Sequence, residues 1–579
     1  MLTRLAIKNF KNLESADIEL GDAVVFIGPN NCGKTSALQA LCLWQIGVSK
    51  WLERRGDGDV PKKRPGITLN RTELFALPVP SANLLWRDLH TRSREATSDG
   101  PKTKNVFIEI VVEGITNGKT WKCGLEFDYA NEESFYCRPL ATGPEERMPV
   151  PIDAGTVKVA FLPPMSGLTS EEDRLERGAI NVRIGQGRTA EVLRNLCFNV
   201  SEQDQSGWTT LVDQMRSLFN VVLNRPQFIP ERGQVRLSYS DAKGNDLDIS
   251  SAGRGLQQTL LLLSYLRSNP NSALLLDEPD AHLEIIRQRQ IYDILTRTAQ
   301  EFGGQMIAAS HSEVILNSAA DRDIVVAFVG SPHRIDDRGS QVAKALKEIG
   351  FEHYYLAELK KWVLYAEGAT DHAVLSAFAR KLGHPSKDAL EHPFAEYIGN
   401  QLSRALSHFH GVKEAVPTLR GVAILDRQDR QIPAAPGLQV VFWNRNEIEN
   451  YLKLPDVLFR YAEDLAEKNA GSPLFGASEK QRYREAMEQC VAERLPPAAL
   501  RNPDDIFWQS VKITDQFLDP IFDAFFKRLK LPNLMRKTDY HRLADFMQPD
   551  EIHQDVRDAL DVIARAADEA LAELQRPRS

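Results

Sequence analysis

Short, wholly apolar runs separated by longer mixed stretches recur in two parts of the chain. In the first, "SALLLDEPD", "GQMIAASHS" and "DIVVAFVG" follow one another between residues 251 and 330, with helical patterns between them. Strands buried on both faces read as unbroken apolar runs, so this alternation predicts a mostly parallel sheet covered by helices. Near the start, residues 3–10 ("TRLAIKNF") and 16–27 ("ADIELGDAVVFI") read as strands, and a helix is expected from Thr35 ("TSALQALCLWQIG"). "VFIEIVVEG", "KTWKCGLEFDY" and "VKVAFLPPM" carry further strand patterns. Residues 50–105, rich in Arg, Pro and Gly, read as an insertion or mobile loop. Residues 165–225 are charged and helical in period, an expected arm or dimerisation insertion.

The second alternation begins after Glu358, behind a polar stretch at 333–344 ("HRIDDRGSQVAK"). A boundary near 350 is expected, giving domains 1–350 and 351–579. Beyond 450 the pattern is largely helical, ending in "EIHQDVRDALDVIARAADEALAELQ". The expected fold class is α/β in both halves, with helical additions to the second.

Composition bounds the function. With 579 residues, 42% hydrophobic and 26% charged, the chain is long enough for two to four globular domains. No apolar run approaches the roughly 18 residues of a membrane helix. "MLTRLAIKNF" lacks the apolar centre of a signal peptide, and six scattered cysteines without a CxxC pair suggest neither zinc nor disulfides, so a reduced cytoplasm is expected. A net charge of −8 and a pI near 5.9 exclude a uniformly basic nucleic-acid coat. Local basic clusters exist in "ERRGDGDVPKKRPG" and "KRLKLPNLMRK", and a solvated face accounts for either one.

The clearest chemistry is "GPNNCGKT", which fits G-x-x-x-x-G-K-[ST] after an apolar strand and before a helix. Loop N–H groups and the helix N-terminus would face phosphate oxygens. Lys34 would contact the β- and γ-phosphates of ATP, and Thr35 would hold Mg²⁺. "ALLLDEPDAHLE" places Asp277 at a strand end, where it can hold Mg²⁺ through water, with Glu278 beside it to orient or activate the attacking water. "MIAASHS" leads to His311, placed to sense the γ-phosphate. "SSAGRGLQQTLLLL" puts Ser251 and Gly253 ahead of a helix.

These elements in this order resemble the ATPase of the ABC superfamily, and "LAIKNFKNL" with "GPNNCGKT" is similar to its RecF/SMC branch. The resemblance implies an ATP site formed by Gly28, Asn30, Asn31, Gly33, Lys34, Thr35 and Ser36. It also implies that Ser251 and Gly253 complete the site of a second copy, so that a homodimer forms through the ATPase heads. The segment at 251–255 departs from the common L-S-G-G-Q form, and no Q-loop glutamine is evident.

In the second half, "KWVLYAEGATDHAVL" carries Glu367 at a strand end and Asp371 in the following helix. "GVAILDRQDRQ" ends a second buried strand on Asp426, and "LQVVFWNRNEIENYL" runs into Glu447 and Glu449. Residues beyond the carboxyl ends of strands in an open α/β sheet share one crevice, so these acids are expected to converge. Like charges so placed repel unless cations lie between them, and oxygen ligands suit Mg²⁺ or Mn²⁺. The set is similar to a TOPRIM domain, and a RecF-like ATPase followed by TOPRIM resembles the OLD (overcoming lysogenization defect) endonucleases, relatives of the Gabija nuclease. The resemblance implies ATP-hydrolysing, two-metal cleavage of DNA, in anti-phage defence or DNA repair, with an accessory defence protein as a further partner and no membrane. It makes Glu367, Asp371 and Asp426 metal ligands, with Glu447 and Glu449 as further candidates. A late lysine beside the metals would be Lys537, with Lys527 and Lys530 as alternates. Where TOPRIM sequences read D-x-D, this chain has Asp426-Arg427-Gln428-Asp429, so either Gln428 is a neutral ligand or Asp429 swings in. Two other readings stay open: an RNA-cleaving defence effector of the PARIS type, and an ATP-driven DNA-binding sensor with a decayed TOPRIM site.

Overall fold

A computed structural model describes residues 1–56, 66–74, 77, 79–97, 100–143, 146–320, 322–335, 350–428, 435–469, 476–502 and 505–575. The chain divides into two compact units, Met1–Ala343 and Lys344–Ser579.

The first unit stacks one long helix between two sheets. One sheet is antiparallel, ordered Leu13–Glu19, Leu2–Phe10, Ile108–Thr116, Lys119–Asn131, Ser134–Pro139 and Ile67–Asn70. Its strands alternate, as in "IEIVVEGIT", where every second residue of the first seven is buried. The stretch 16–27 is thus two strands rather than one. Leu20–Asp22 breaks it, and Ala23–Ile27 joins the other sheet. The region 50–105 is also more ordered than its composition suggests: the helix runs on to Arg55, Ile67–Asn70 forms a sheet edge, and Arg92–Thr97 pairs with Gly100–Asn105. Residues 57–65 of that region lie outside the described residues.

The second sheet is ordered Val159–Leu162, Ala273–Asp277, Gln305–Ser310, Ala23–Ile27, Ile324–Ala327 and His333–Arg334, parallel except at the last pairing. Every residue of Ala23–Ile27, Ala273–Asp277 and Gln305–Ser310 is buried. Lys34–Arg55 crosses between the sheets: Trp44 stacks on Trp121 with ring centroids 5.9 Å apart and donates to the Cys123 carbonyl at 3.1 Å. A Cβ on Gly47 would lie 2.7 Å from a Leu125 methyl, so glycine permits the close approach of helix to sheet.

Residues 165–225 hold three short helices, Arg177–Gly185, Leu193–Gln203 and Gln205–Phe219. The last two pack on Arg254–Ser268. Arg194, 1% exposed, reaches Asp248 at 2.9 Å, and Asp248 in turn accepts from the Ser250 N–H.

The second unit is built on a parallel sheet ordered Ala395–Tyr397, Trp362–Ala366, Arg420–Leu425 and Leu438–Phe442. Ala369–Leu382 and Gln554–Leu574 cover it, the latter burying Val556, Leu560 and Ile563 on one stripe. Among the described residues no helix is long and apolar enough to cross a membrane.

Removing the Trp44 ring should leave a cavity between two sheets that cannot close over it. Trp44→Ala is expected to destabilise the first unit by about 3–5 kcal/mol, measured as a lower denaturant midpoint for that unit. An unchanged midpoint would contradict the packing described.

Candidate nucleotide site and candidate metal centre

In the first unit, three adjacent parallel strands end side by side. The loop after Ala23–Ile27 turns through Asn31 (φ 63°) and Gly33 (φ 108°) before the helix begins at Lys34. A Cβ on Gly33 would lie 2.6 Å from a Leu13 methyl, and its left-handed backbone disfavours any other residue. Lys34 is buried, and its ammonium donates to the Gly28 and Pro29 carbonyls, each at 2.7 Å. The Thr35 hydroxyl donates to both oxygens of Asp277, at 3.1 and 2.9 Å. Burial and the neighbouring Glu278 raise the Asp277 carboxyl to about 6, against opposing pulls from Thr35 and Lys34. Such a group is poised to take a cation. Ser36 donates to the Asn12 side chain at 2.7 Å, and Asn12 holds the Asn31 carbonyl at 2.9 Å. Asn30 is exposed at the tip of the loop.

Glu278 follows Asp277 in the left-handed region (φ 51°), a position that costs a non-glycine residue roughly 1–2 kcal/mol. Its backbone N–H bonds the Ala309 carbonyl at 2.8 Å, and its side chain lies 3.8 Å from Nδ1 of His311, which follows the next strand. The strained turn therefore brings acid and imidazole together at the mouth of the loop. Asp280 was missed by the sequence reading. It is buried in the same turn, has one oxygen without a partner among the described residues, and has its carboxyl raised by that burial. The second acid of D-E-P-D was the available signal. Ser251 and Gly253 stand exposed at the start of Arg254–Ser268, with Ser251 donating to the Asp248 carbonyl at 2.7 Å.

In the second unit, Glu367 follows Trp362–Ala366, and Asp426 follows the neighbouring strand Arg420–Leu425. Gly368 caps the helix Ala369–Leu382, whose first turn carries Asp371. One carboxylate oxygen from each of Glu367, Asp371 and Asp426 lies within 4.8 Å of the others. Burial and the charges of Glu367 and Asp371 push the Asp426 carboxyl up to about 9. Burial and Glu367 push Asp371 to about 6. Among the described residues, one oxygen of Glu367 and one of Asp426 are buried without a hydrogen-bond partner. Two ionised carboxylates about 4 Å apart repel by roughly 4 kcal/mol in a protein-like medium. Clustered carboxylates with buried oxygens that no described donor reaches are what a hard divalent cation would satisfy, so the residues fit Mg²⁺ or Mn²⁺.

Glu447 and Glu449 extend this field. Glu449, buried in the turn Ile448–Tyr451, is raised to about 8 by burial, Asp371 and Glu447. Glu447, itself raised by burial, accepts from the Thr514 N–H at 3.0 Å, a contact with the later helical region that the sequence did not signal. Lys537 opposes the rise at both glutamates, so its charge acts on this centre. Lys527 and Lys530 instead sit at the end of Asp519–Leu529. The Gln428 amide donates to the Asn400 carbonyl and to its side chain, both at 2.8 Å. Asp429 lies outside the described residues.

Fold and loop together define the first unit as an ATPase domain of mixed α/β build. Residues 1–45 match the family described as "AAA ATPase domain", and residues 204–317 match "AAA domain, putative AbiEii toxin, Type IV TA system". The chain is 56% identical over 41 residues to the DNA replication and repair protein RecF of Yersinia enterocolitica, covering 7% of this chain and 11% of that protein. It is 49% identical over 43 residues to the OLD nuclease of Thermus scotoductus, covering 7% and 8%. The chain thus matches these curated relatives over about a tenth of their length or less. Solved structures similar to it include an SMC head bound to the C-winged helix domain of ScpA (TM-score 0.34, 13% identity, 57% of this chain and 97% of that one). The SMC head domain from Thermotoga maritima aligns with a TM-score of 0.30 and 14% identity, over 58% and 98%.

The raised carboxyls fix a pH dependence. Asp426 holds a proton in the folded chain between its ordinary 3.8 and about 9, where the unfolded chain has released it. The folded state binds more protons in that window, so stability without cation falls as pH rises through it. A divalent cation needs the ionised form, so its binding releases protons and strengthens toward the alkaline end. Melting of the second unit without divalent cation is expected to fall between about pH 5 and pH 9, and Mn²⁺ should restore it most at the upper end. Asp426→Asn should flatten both effects; a wild-type melting profile indifferent to pH and Mn²⁺ would contradict this reading.

Proposed function

We propose that this chain is an ATP-hydrolysing, Mg²⁺- or Mn²⁺-dependent endonuclease of the OLD type, acting on DNA in anti-phage defence or repair. The observation that carries the nuclease reading is the meeting of Glu367, Asp371 and Asp426 within 4.8 Å, with two buried oxygens unpartnered among the described residues. On this reading the second unit is a TOPRIM nuclease domain with helical additions. A pair of divalent cations bound there would supply an activated water and stabilise the leaving oxygen of a phosphodiester.

The residues divide the remaining work. Glu367, Asp371 and Asp426 hold the cations. Glu447 and Glu449 add negative charge that favours them, with Glu447 fixed by the Thr514 N–H. Lys537 places a positive charge near the phosphate to offset what develops on it. In the ATPase unit, Lys34 moves from the loop carbonyls to the phosphates, and Thr35 with Asp277 holds Mg²⁺. Glu278 orients the attacking water and His311 meets the γ-phosphate. The exposed Ser251 and Gly253 reach the nucleotide of a second copy, which makes the active form a homodimer.

A second reading keeps the ATPase and replaces cleavage by DNA sensing. It is favoured by Gln428, whose amide is committed to Asn400 where an aspartate would give a further ligand.

Lys34→Ala and Glu278→Gln are each expected to lower ATP turnover at least about 100-fold, measured by phosphate release; unchanged turnover would remove the nucleotide assignment. Supercoiled plasmid incubated with Mg²⁺, Mn²⁺ or Ca²⁺, with and without ATP, should be nicked by the wild type and left intact by Glu367→Ala. Intact plasmid with wild type in every condition would favour the sensing reading, and cleavage of tRNA in preference to plasmid would move the substrate to RNA.

A further inference from the structure

Apart from its carboxylate centre, the second unit gathers His353, Glu396 and His408 from three elements: helix Phe351–Lys360, strand Ala395–Tyr397 and helix Leu402–Ala415. One ligand atom from each lies within 4.8 Å of the others. Nδ1 of His353 stands 2.8 Å from Nε2 of His408, and Nε2 of His353 stands 3.7 Å from a Glu396 oxygen. The remaining His408 nitrogen, Nδ1, is 2.8 Å from the Tyr365 hydroxyl. Tyr365 and Glu396 are register partners on adjacent parallel strands, so the sheet itself fixes the spacing of ligand and support. Phe394 packs against both imidazoles, with centroids 5.6 and 6.1 Å away.

We propose that His353, His408 and Glu396 form a binding site for one transition-metal ion of the Zn²⁺ class, with Tyr365 orienting His408. Two imidazoles and a carboxylate are a three-ligand set that leaves a fourth position open. Imidazole suits Zn²⁺, Co²⁺ or Ni²⁺, whereas the all-oxygen centre at Glu367 suits harder cations, so the two sites select different ions. A tetrahedral ion at about 2.0–2.1 Å from each nitrogen needs them roughly 3.4 Å apart, a shift of about half an ångström. A ligating histidine usually gives its other N–H to an oxygen, and the Tyr365 hydroxyl is that oxygen for His408. An ion here would tie two helices to the strand pair that includes Trp362–Ala366, the strand that ends beside Glu367.

The test uses the untagged full chain carrying Glu367→Gln and Asp426→Asn, which silences the oxygen centre. Stripped with chelator, it is titrated with Co²⁺ and followed by visible absorption, with Zn²⁺ as competitor. One Co²⁺ per chain is expected, with ligand-field bands that Zn²⁺ abolishes. His353→Ala and His408→Ala should each weaken binding by more than about 100-fold, and Tyr365→Phe by about 10-fold. Circular dichroism of the stripped variants checks their fold; should the histidine variants not fold, Glu396→Gln and Tyr365→Phe decide, since both must weaken Co²⁺ binding. The four groups can instead close a hydrogen-bonded chain, Tyr365 to His408 to His353 to Glu396. Absence of saturable Co²⁺ binding, or binding indifferent to these substitutions, would identify that chain and overturn the site.

Discussion

Carboxylates that converge at the end of a parallel sheet repel one another, and in the second unit no donor among the described residues relieves the closest of them. Glu367 and Asp426 each bury an oxygen without a donor, while Lys537 lies nearer in effect to Glu447 and Glu449. The fold keeps this arrangement because strands 362–366 and 420–425 are adjacent and parallel, and their packed interior fixes where the next residue must emerge. Protonation relieves the repulsion when no cation is present; a divalent cation relieves it better. The functional reading of this unit follows from that choice.

The same topological device serves the ATPase unit with a different outcome. There the acid at the strand end, Asp277, has a donor in Thr35, and the nearest cation, Lys34, is held on the loop's own carbonyls. Strain sits instead in the left-handed Glu278, whose backbone is anchored to the neighbouring strand. The turn at Ser251 hangs on Asp248, which is tied to the buried Arg194 from the helical segment before it.

Much of this was legible beforehand. The buried parallel strands announced themselves as apolar runs because both of their faces are covered, and the G-x-x-x-x-G-K-T loop carries its own backbone requirements in its glycines. The edges were harder. Residues 16–27 read as one strand because both pieces carry a strand pattern, alternating in the first and wholly apolar in the second, although the break at Leu20–Asp22 sends them to different sheets. The region 50–105 read as loop because its strands are short and polar, and pairing rather than composition gives them order.

By itself the sequence determined which residues end strands, and hence which acids could share a crevice. It could not say which of them meet, because side-chain convergence depends on strand order and helix placement. Tertiary structure decided that Glu367, Asp371 and Asp426 form the tight group, that Thr514 fixes Glu447, and that Gln428 turns to Asn400. It also joined His353, Glu396 and His408, which stand up to 55 residues apart and share no spacing motif. Local pattern sets the elements, but distances between chemically active groups are set by which elements pack together.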